Sequence, residues 1–330
     1  MTLPVGKLPT GLLGELLQLG PSQANEVLLG PAVGEDACAI RVPAGILIAA
    51  TDPITLTGRE VGAHAVKVNA NDIAVMGARP RWFLAAILLP VGTDEAAVRE
   101  VFEGIRAGLD EVGAVLVGGH TEITRVVTQP VVVGQMLGLC ERNSFLRTGG
   151  ATAGDVVLQV GSAPIEGAAV LAAEASARLA SVGLELLDRA RNALRSPGIS
   201  IVRPALRAVE LGATALHDPT EGGLSAGLYE LAEASGIGLE LDGEAVLWFE
   251  PGTALCAVVG ADPWGTLASG TLLAVFPAAL SERALEGLEA DGYSTSAIAT
   301  ARTGSGVRFA DGRPLARYER DELSRVLGSG

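Results

Sequence analysis

Carboxylate side chains follow apolar stretches at several places in the sequence and could act on a nucleotide together. They are Asp36, Asp52, Asp72, Glu122 and Asp218. If they converge, like charges about 4 Å apart repel by roughly 4 kcal/mol at an effective dielectric near 20, so the cluster cannot hold a triphosphate by itself. Mg²⁺ ions between the carboxylates and the phosphate oxygens remove this repulsion, because Mg²⁺ prefers oxygen ligands. The residue types therefore indicate a metal-bridged nucleotide.

The histidines and cysteines do not have the spacing of a zinc site. His64, His120 and His217 lie far apart, and the three cysteines form no CxxC pair. The cysteines are expected to be buried, reduced thiols. His120 and His217 could each donate a hydrogen bond to a phosphate oxygen, and for His217 a hydrogen-bonded structural role is an equal alternative.

The stretch from Val61 to Pro80, VGAHAVKVNANDIAVMGARP, predicts a helix that is apolar on several sides and therefore buried. Asn69 and Asp72 lie three residues apart, hence on one face, and Asn71 is beside them. A buried carboxylate is costly unless it is paired or binds a metal. Asp72 is thus a candidate metal ligand, and pairing with Lys67 or capping a loop is the alternative.

An apolar strand followed by an acidic loop recurs around this helix. Residues 34–37 (GEDA) follow a turn of glycine and proline. Residues 51–53 (TDP) end the apolar run 46–50, and residues 118–122 (GGHTE) end the apolar run 114–117. Strand ends that carry acidic loops in this way predict one site where the loops converge.

A second region, residues 155–167, combines a strand, a glycine-rich turn and the start of an alanine-rich helix. This arrangement offers backbone N–H groups to an anion, with Gly161 and Gly167 as the candidates. It lacks the GK[ST] sequence of a Walker A loop, and an ordinary tight turn is the alternative. Farther along, a short strand ends at His217 and Asp218.

The length suits two domains, since 330 residues can form two sizeable cores. We place the domains at residues 1–150 and 151–330, because the stretch 141–154 is polar and glycine-rich. The alternation of strands and helices predicts an α+β or α/β fold. A helix is expected at 10–19, and the charged tail 310–330 is expected to be peripheral.

Charge and apolar content argue against several classes of partner. The net charge of −14 disfavours nucleic acid and anionic membranes. No apolar run reaches the roughly 20 residues that a bilayer span requires, and the N-terminus shows no secretory signal. We therefore expect a cytoplasmic protein without a nucleic acid or membrane partner.

The motifs, taken in order, resemble those of the aminoimidazole-ribonucleotide-synthetase (AIR synthase, PurM-like) superfamily. GEDA, TDP, VNANDIAVMGARP and GGHTE stand in the family's order. Residues 217–224, HDPTEGGL, are similar to the DPTxGGL motif of its HypE branch, which serves hydrogenase maturation. The resemblance runs from about Gly30 to the C-terminal region.

The resemblance implies a two-domain PurM-like fold: an N-terminal sheet domain that pairs across a homodimer, a C-terminal α/β domain, and ATP near the groove between the subunits. Magnesium would be bound by Asp36, Asp72 and Asp218. The nucleotide would be lined by Asp52, Asn69, Asn71, Gly118, Gly119 and Thr121, with Gly161 and Gly167 as further candidates. Catalysis would involve Asp72, His120 and Glu122.

The shared reaction of this family implies that ATP phosphorylates a carboxamide or similar oxygen and that ADP is released. Phosphorylation makes a poor leaving oxygen a good one, so the enzyme mainly positions groups and neutralises charge. Among the branches, HypE fits best. The selenophosphate branch requires a reactive cysteine near the N-terminus, and residues 1–33 contain none. The sequence GGHTEIT differs from the corresponding loop of the purine synthetase.

The acceptor is left open, because HypE proteins end in a cysteine that receives a carbamoyl group and this chain ends in LGSG. A free carboxamide or one carried by a partner protein both fit, and a maturation partner of the carbamoyltransferase type is implied. One alternative is a small-molecule kinase of the thiamine-monophosphate type. Another is a non-catalytic dimer that binds ATP or a partner.

Overall fold

The computed structural model describes residues 11, 26–29, 35, 37–55, 60–140 and 144–328, which form two compact units. The N-terminal unit contains the described residues from 26–29 and 37–145. The C-terminal unit contains residues 11, 35 and 146–328. The division falls inside the polar stretch 141–154. The helix expected at 10–19, apart from residue 11, and the predicted ligand Asp36 lie outside the described residues.

The described part of the N-terminal unit is a six-stranded mixed sheet with helices packed on it. Its strands are β1 (Val27–Leu29), β2 (Cys38–Val42), β3 (Gly45–Ile54), β4 (Arg79–Pro90), β5 (Val115–Thr124) and β6 (Val131–Cys140). Its helices are α1 (Val61–Val75) and α2 (Glu95–Val112). The strand order is β1-β2-β3-β6-β4-β5, and β4 and β5 pair in parallel while the other neighbours are antiparallel.

The C-terminal unit contains a second six-stranded mixed sheet, in the order β12-β9-β11-β7-β10-β8. Its strands are β7 (Val156–Val160), β8 (Ala215–His217), β9 (Gly238–Leu241), β10 (Leu272–Phe276), β11 (Thr295–Arg302) and β12 (Gly306–Phe309). Its helices are α3 (Ile165–Glu174), α4 (Leu184–Arg191), α5 (Val202–Leu211), α6 (Gly223–Ser235), α7 (Glu250–Val259), α8 (Ala278–Ala290) and α9 (Glu322–Leu327). Mixed sheets covered by helices confirm the predicted α+β class. Among the described residues, no helix combines the length and apolar character that a membrane crossing requires.

Helix α1 is buried, as its apolar residues predict. All of its residues except Ala63 are buried, and it packs between the sheet and α2. Glycines permit this close packing: a β-carbon at Gly62 would overlap the carbonyl oxygen of Val101, and one at Gly108 would lie 3.0 Å from Val66 Cβ. The helix that carries the predicted polar residues is therefore held firmly against both neighbours.

The prediction that GGHTE forms a loop is wrong. These residues continue β5, which runs to Thr124 and pairs Gly119 with Ala85 of β4. Two consecutive glycines followed by polar side chains look like a turn in sequence. Pairing with β4 keeps the chain extended, and such tertiary pairing overrides local preference.

Helix α2 begins after Asp94 and is not capped by the neighbouring hydroxyl of Thr93. Asp94 is the N-cap, because its Oδ1 accepts a hydrogen bond from Ala97 N at 2.8 Å. The Thr93 hydroxyl donates instead to the carbonyl oxygen of Pro90 at 2.7 Å. Gly113 ends the helix in the left-handed conformation.

The prediction of a peripheral tail at 310–330 is wrong for its described part. Tyr229 Oη donates to Leu315 O at 2.7 Å, and Arg178 Nη1 donates to Val326 O at 2.8 Å. The side chains of Leu323 and Val326 are buried in the C-terminal unit. The charged residues suggested a solvated tail, while apolar residues spaced between them anchor it.

Candidate functional site

Asn69 of α1 holds the backbone of β3 at Asp52. Its Oδ1 accepts from Asp52 N at 2.9 Å, while its Nδ2 donates to Asp52 O at 3.3 Å and to Ala65 O at 2.8 Å. Asn69 is fully buried, so these bonds are shielded from water. Two of the predicted site residues therefore lie together, and Asn69 fixes the position from which the Asp52 side chain projects.

Asn71 and Asp72 lie two and three residues beyond this contact, and both are buried. Lys67 is also buried, and its Nζ lies 2.9 Å from Glu111 Oε2 on α2. The structure thus gives Lys67 a carboxylate partner on the neighbouring helix, which the sequence did not indicate. This part of α1 places several polar side chains in an apolar setting.

Strand β5 carries the predicted site residues Gly118, Gly119, His120, Thr121 and Glu122 at the edge of the sheet. All five are exposed. His120 Nε2 lies 3.3 Å from Glu122 Oε2, because residues two apart on a strand share a face. Within the N-terminal unit this pair faces open surface.

In the C-terminal unit, His217 and Asp218 lie at the end of β8, and both are buried. His217 Nε2 lies 2.9 Å from Glu230 Oε2 on α6, and its Nδ1 lies 3.5 Å from Thr148 Oγ1. The histidine therefore has the hydrogen-bonded structural role that was one of its two predicted roles. It anchors the chain immediately before Asp218.

The loop after Asp218 enters α6 through two glycines with positive φ, Gly222 at 81° and Gly223 at 68°. A β-carbon at Gly223 would lie 2.5 Å from the carbonyl oxygen of Trp264. These conformations and this close approach explain why glycines follow the DPTE residues.

The glycine-rich turn before α3 uses its own N–H groups within the protein. Gly161 N donates to Ser294 O at 2.9 Å, and Gly167 N donates to Leu267 O at 3.0 Å. An anion bound through Gly161 and Gly167 would have to displace these contacts. Their contact with a cofactor stays a prediction from sequence.

The available side chains suit magnesium better than zinc. Asp72 in one unit and Asp218 in the other are buried carboxylates, and oxygen ligands are those that Mg²⁺ prefers. In the described ranges, no group of three or more histidine, cysteine, aspartate or glutamate side chains is arranged to hold a metal ion. Asp36 is outside these ranges, so the three-carboxylate site stays a prediction.

Sequence reasoning missed Asp321, which bridges the C-terminal segment and the loop before α6. Its Oδ2 accepts from Gly222 N at 2.8 Å, and its Oδ1 accepts from Leu323 N at 2.8 Å as the N-cap of α9. An aspartate before ELSRVL is a signal for a helix N-cap. The contact with Gly222 spans 99 residues of sequence, and no local pattern reveals it.

Burial raises the pKa of the Asp321 carboxyl group from 3.8 to about 7, although the N–H groups of Leu323 and Gly222 act to lower it. The acidic neighbours Glu221 and Glu166 raise it further. The folded protein therefore holds this proton more tightly than the unfolded chain. The stabilisation is complete below about pH 4 and is lost as the pH rises through about 7.

The asparagine of Asp321→Asn does not titrate. We therefore expect this variant to show a smaller decrease in the unfolding free energy of the C-terminal unit between about pH 4 and pH 7. Urea denaturation at several pH values measures this slope. Asp242→Asn removes an exposed carboxylate of the same unit and serves as the control. An unchanged slope in Asp321→Asn would contradict the assignment.

The sequence matches two domain models that together span most of the chain. Residues 34–140 match the N-terminal domain of AIR synthase related protein, and residues 152–311 match the C-terminal domain. The chain belongs to the AIR synthase related family. Among the described residues, the N-terminal model lies in the N-terminal unit except at residue 35, and the C-terminal model lies in the C-terminal unit.

Curated relatives of this family member include two kinds of enzyme. Carbamoyl dehydratase HypE of Azotobacter vinelandii is 31% identical over 263 residues, which cover 77% of this chain and 74% of the relative. Thiamine-monophosphate kinase of Methanospirillum hungatei is 30% identical over 232 residues, which cover 65% of this chain and 72% of the relative.

Solved structures show the same fold. The hydrogenase maturation protein HypE in complex with ATP aligns with a TM-score of 0.73 at 23% identity, covering 88% of this chain and 91% of that one. A chain of the crystal structure of a HypE–HypF complex aligns with a TM-score of 0.73 at 22% identity, covering 87% of this chain and 94% of that one.

Proposed function

We propose that this family member is a HypE-like, Mg²⁺- and ATP-dependent enzyme that phosphorylates a carboxamide-type oxygen and releases ADP. Its identity to carbamoyl dehydratase HypE, over most of both chains, supports this proposal. The structural observation that carries it is that Asn69 hydrogen-bonds the backbone N–H and C=O of Asp52 and lies on the same helix as the buried Asp72. A preorganised acidic site on a buried helix is what metal-bridged phosphates require.

In this proposal, bound Mg-ATP supplies the phosphoryl group and neutralises the carboxylates. Asp72 and Asp218, with Asp36, would hold the metal. Asn69 keeps Asp52 in place through its backbone bonds. Glu122 orients the His120 imidazole, which would donate a hydrogen bond to a phosphate oxygen. These residues act by position and charge, as phosphoryl transfer demands.

The enzyme is proposed to act as a homodimer joined along β5. Edge strands with unpaired backbone groups and apolar side chains invite pairing with another chain. On β5, Val115, Val117 and Ile123 are 56%, 53% and 51% exposed. A groove of about 670 Å³ between α2 and β5 adds Phe102 to this apolar surface. A second copy seated here would also cover His120 and Glu122.

We expect Val117→Lys to shift the protein from dimer to monomer, because it places a charge in the middle of the proposed interface. Light scattering after size-exclusion chromatography measures the mass. Val126→Lys is the control, since Val126 is 81% exposed and lies beyond the end of β5. A wild-type monomer, or a Val117→Lys dimer of unchanged affinity, would argue against this interface.

The acceptor is proposed to be a carboxamide, either free or carried by a maturation partner. A HypE–HypF complex supports a partner protein for the relative. A kinase of the thiamine-monophosphate type is the second candidate, and the 30% identical kinase supports it. A non-catalytic dimer that binds ATP or a partner is the third.

Nucleotide binding and ADP formation separate these candidates. We expect ATP to bind in calorimetry with Mg²⁺ and not with chelator. A HypE-like enzyme forms ADP with carbamoylated peptides or free carboxamides as acceptors. The O-phosphorylated amide then loses its N–H proton and its phosphate, and the remaining carbon and nitrogen form a nitrile. A kinase gives a stable phosphorylated thiamine product. ATP binding without ADP in any of these mixtures would favour the non-catalytic dimer, and no binding would overturn the proposal.

A further inference from the structure

The loop Asp218–Gly223 lies between two anchors of the C-terminal unit. At one end His217 contacts Glu230 and Thr148. At the other end Asp321 accepts the hydrogen bond of Gly222 N. We propose that Asp321 is a positioning residue that fixes this loop, so that the Asp218 carboxylate is held ready for a metal-bound nucleotide. This inference rests on the metal role proposed for Asp218.

The loop needs support from outside because its own sequence provides little. Gly222 and Gly223 both have positive φ, and glycine is the residue with the greatest backbone freedom. Helix α6 begins at Gly223 without a hydrogen bond from an N-cap side chain. The Asp321 carboxylate takes the place of a local cap at this helix start.

Asp321 can act as an anchor because the segment that carries it is fixed to the rest of the unit. Arg178 donates to Val326 O at 2.8 Å and to Val259 O at 2.6 Å. Tyr318 Oη donates to Asp262 Oδ2 at 2.6 Å, and Asp262 N donates to Glu322 Oε2 at 2.8 Å. These bonds hold residues on both sides of Asp321.

The electrostatic setting argues against a purely stabilising role. Asp321 is buried beside Glu221 and Glu166, and both carboxylates disfavour its charge. An apolar residue or asparagine at this place would avoid that penalty. The carboxylate has the property that the two alternatives lack: it accepts from Leu323 N and Gly222 N at once.

Asp321→Asn tests the proposal in the full-length chain. The amide can keep one of the two bonds, and its NH₂ group then faces the other N–H. We expect Mg²⁺-dependent ATP binding to weaken about tenfold, the lower end of the effect for partners that orient a metal ligand. Calorimetry at several Mg²⁺ concentrations should show the loss mainly at low Mg²⁺.

Two controls distinguish a specific effect on the position of the loop Asp218–Gly223 from a general loss of protein stability. Arg178→Ala removes one bond to the segment, the bond to Val326 O, while the Tyr318–Asp262 and Asp262–Glu322 bonds still hold Asp321 beside Gly222. Asp94→Ala removes a helix cap in the N-terminal unit. Both are expected to keep the Mg²⁺ dependence of the wild type. A loss in Arg178→Ala equal to that in Asp321→Asn would overturn the proposal, as would an unchanged Mg²⁺ dependence in Asp321→Asn.

Hydrogen exchange gives a readout that does not depend on the nucleotide. In Asp321→Asn, the amides of residues 218–226 should exchange faster, and those of β9 should not change. If the wild type binds no Mg-ATP, the proposed function fails, and faster exchange would still show that Asp321 holds the loop. Unchanged exchange across 218–226 would refute the positioning role itself.

Discussion

Asp72→Asn is expected to abolish Mg²⁺-dependent ATP binding and to lower turnover by at least about 100-fold, since loss of a proposed metal ligand costs more than loss of the residues behind it. Asparagine has the same shape as aspartate and lacks its charge. Asp72 is buried on α1, and an amide of the same size occupies the same space there. The melting temperature should therefore stay close to that of the wild type.

Calorimetry in the presence of Mg²⁺ or of chelator measures ATP binding by each variant. A thermal melt measures the stability of each variant. Glu100→Gln is the control, because it removes the charge of an exposed carboxylate on α2 of the same unit, outside the groove between α2 and β5. Full activity in Asp72→Asn would remove Asp72 from the site. Loss of both binding and fold would instead assign it a structural role.

Gly119→Ala is expected to destabilise the N-terminal unit by about 2–4 kcal/mol, through backbone strain and lost pairing of β5. Gly119 has a φ of 148°, which L-residues rarely adopt, and its added β-carbon would overlap the carbonyl oxygen of Ala85 on β4. Relief requires β5 to move away from β4. The residues His120 to Glu122 would move with it, so nucleotide binding and dimer formation should fall together.

Its neighbour provides the control for this prediction. A β-carbon at Gly118 would meet only Leu84 Cδ2, at 3.8 Å, so Gly118→Ala should be close to neutral. Hydrogen exchange of β4 and β5 amides, with denaturant unfolding, compares the two variants. Equal stability of Gly119→Ala and Gly118→Ala would mean that the edge strand is not held as the structure shows.

The buried helix was predictable because its signal is local. Apolar residues on several sides of one helix predict burial, and α1 has it. The position of Asn69 on that helix could be predicted, but its role could not. Its partner Asp52 is on a strand that folds against the helix, and the bonds are to backbone atoms, which every residue has.

Long-range contacts explain what the sequence did not reveal. GGHTE has the composition of a turn, and only pairing with β4 makes it a strand. The tail has the charge of a solvated segment, and Asp321 becomes important only where it meets Gly222. In both cases the deciding partner is remote in sequence, so no window of neighbouring residues contains the information.

The position of β6 has a consequence for synthesis of the chain. β6 is the last strand of its sheet to leave the ribosome, and it lies in the middle, between β3 and β4. The sheet cannot close until residue 140 has emerged, since β3 and β4 pair with β6 and not with each other. Until then α1 has no complete sheet to cover it, and its apolar surface is open to chaperones and to aggregation.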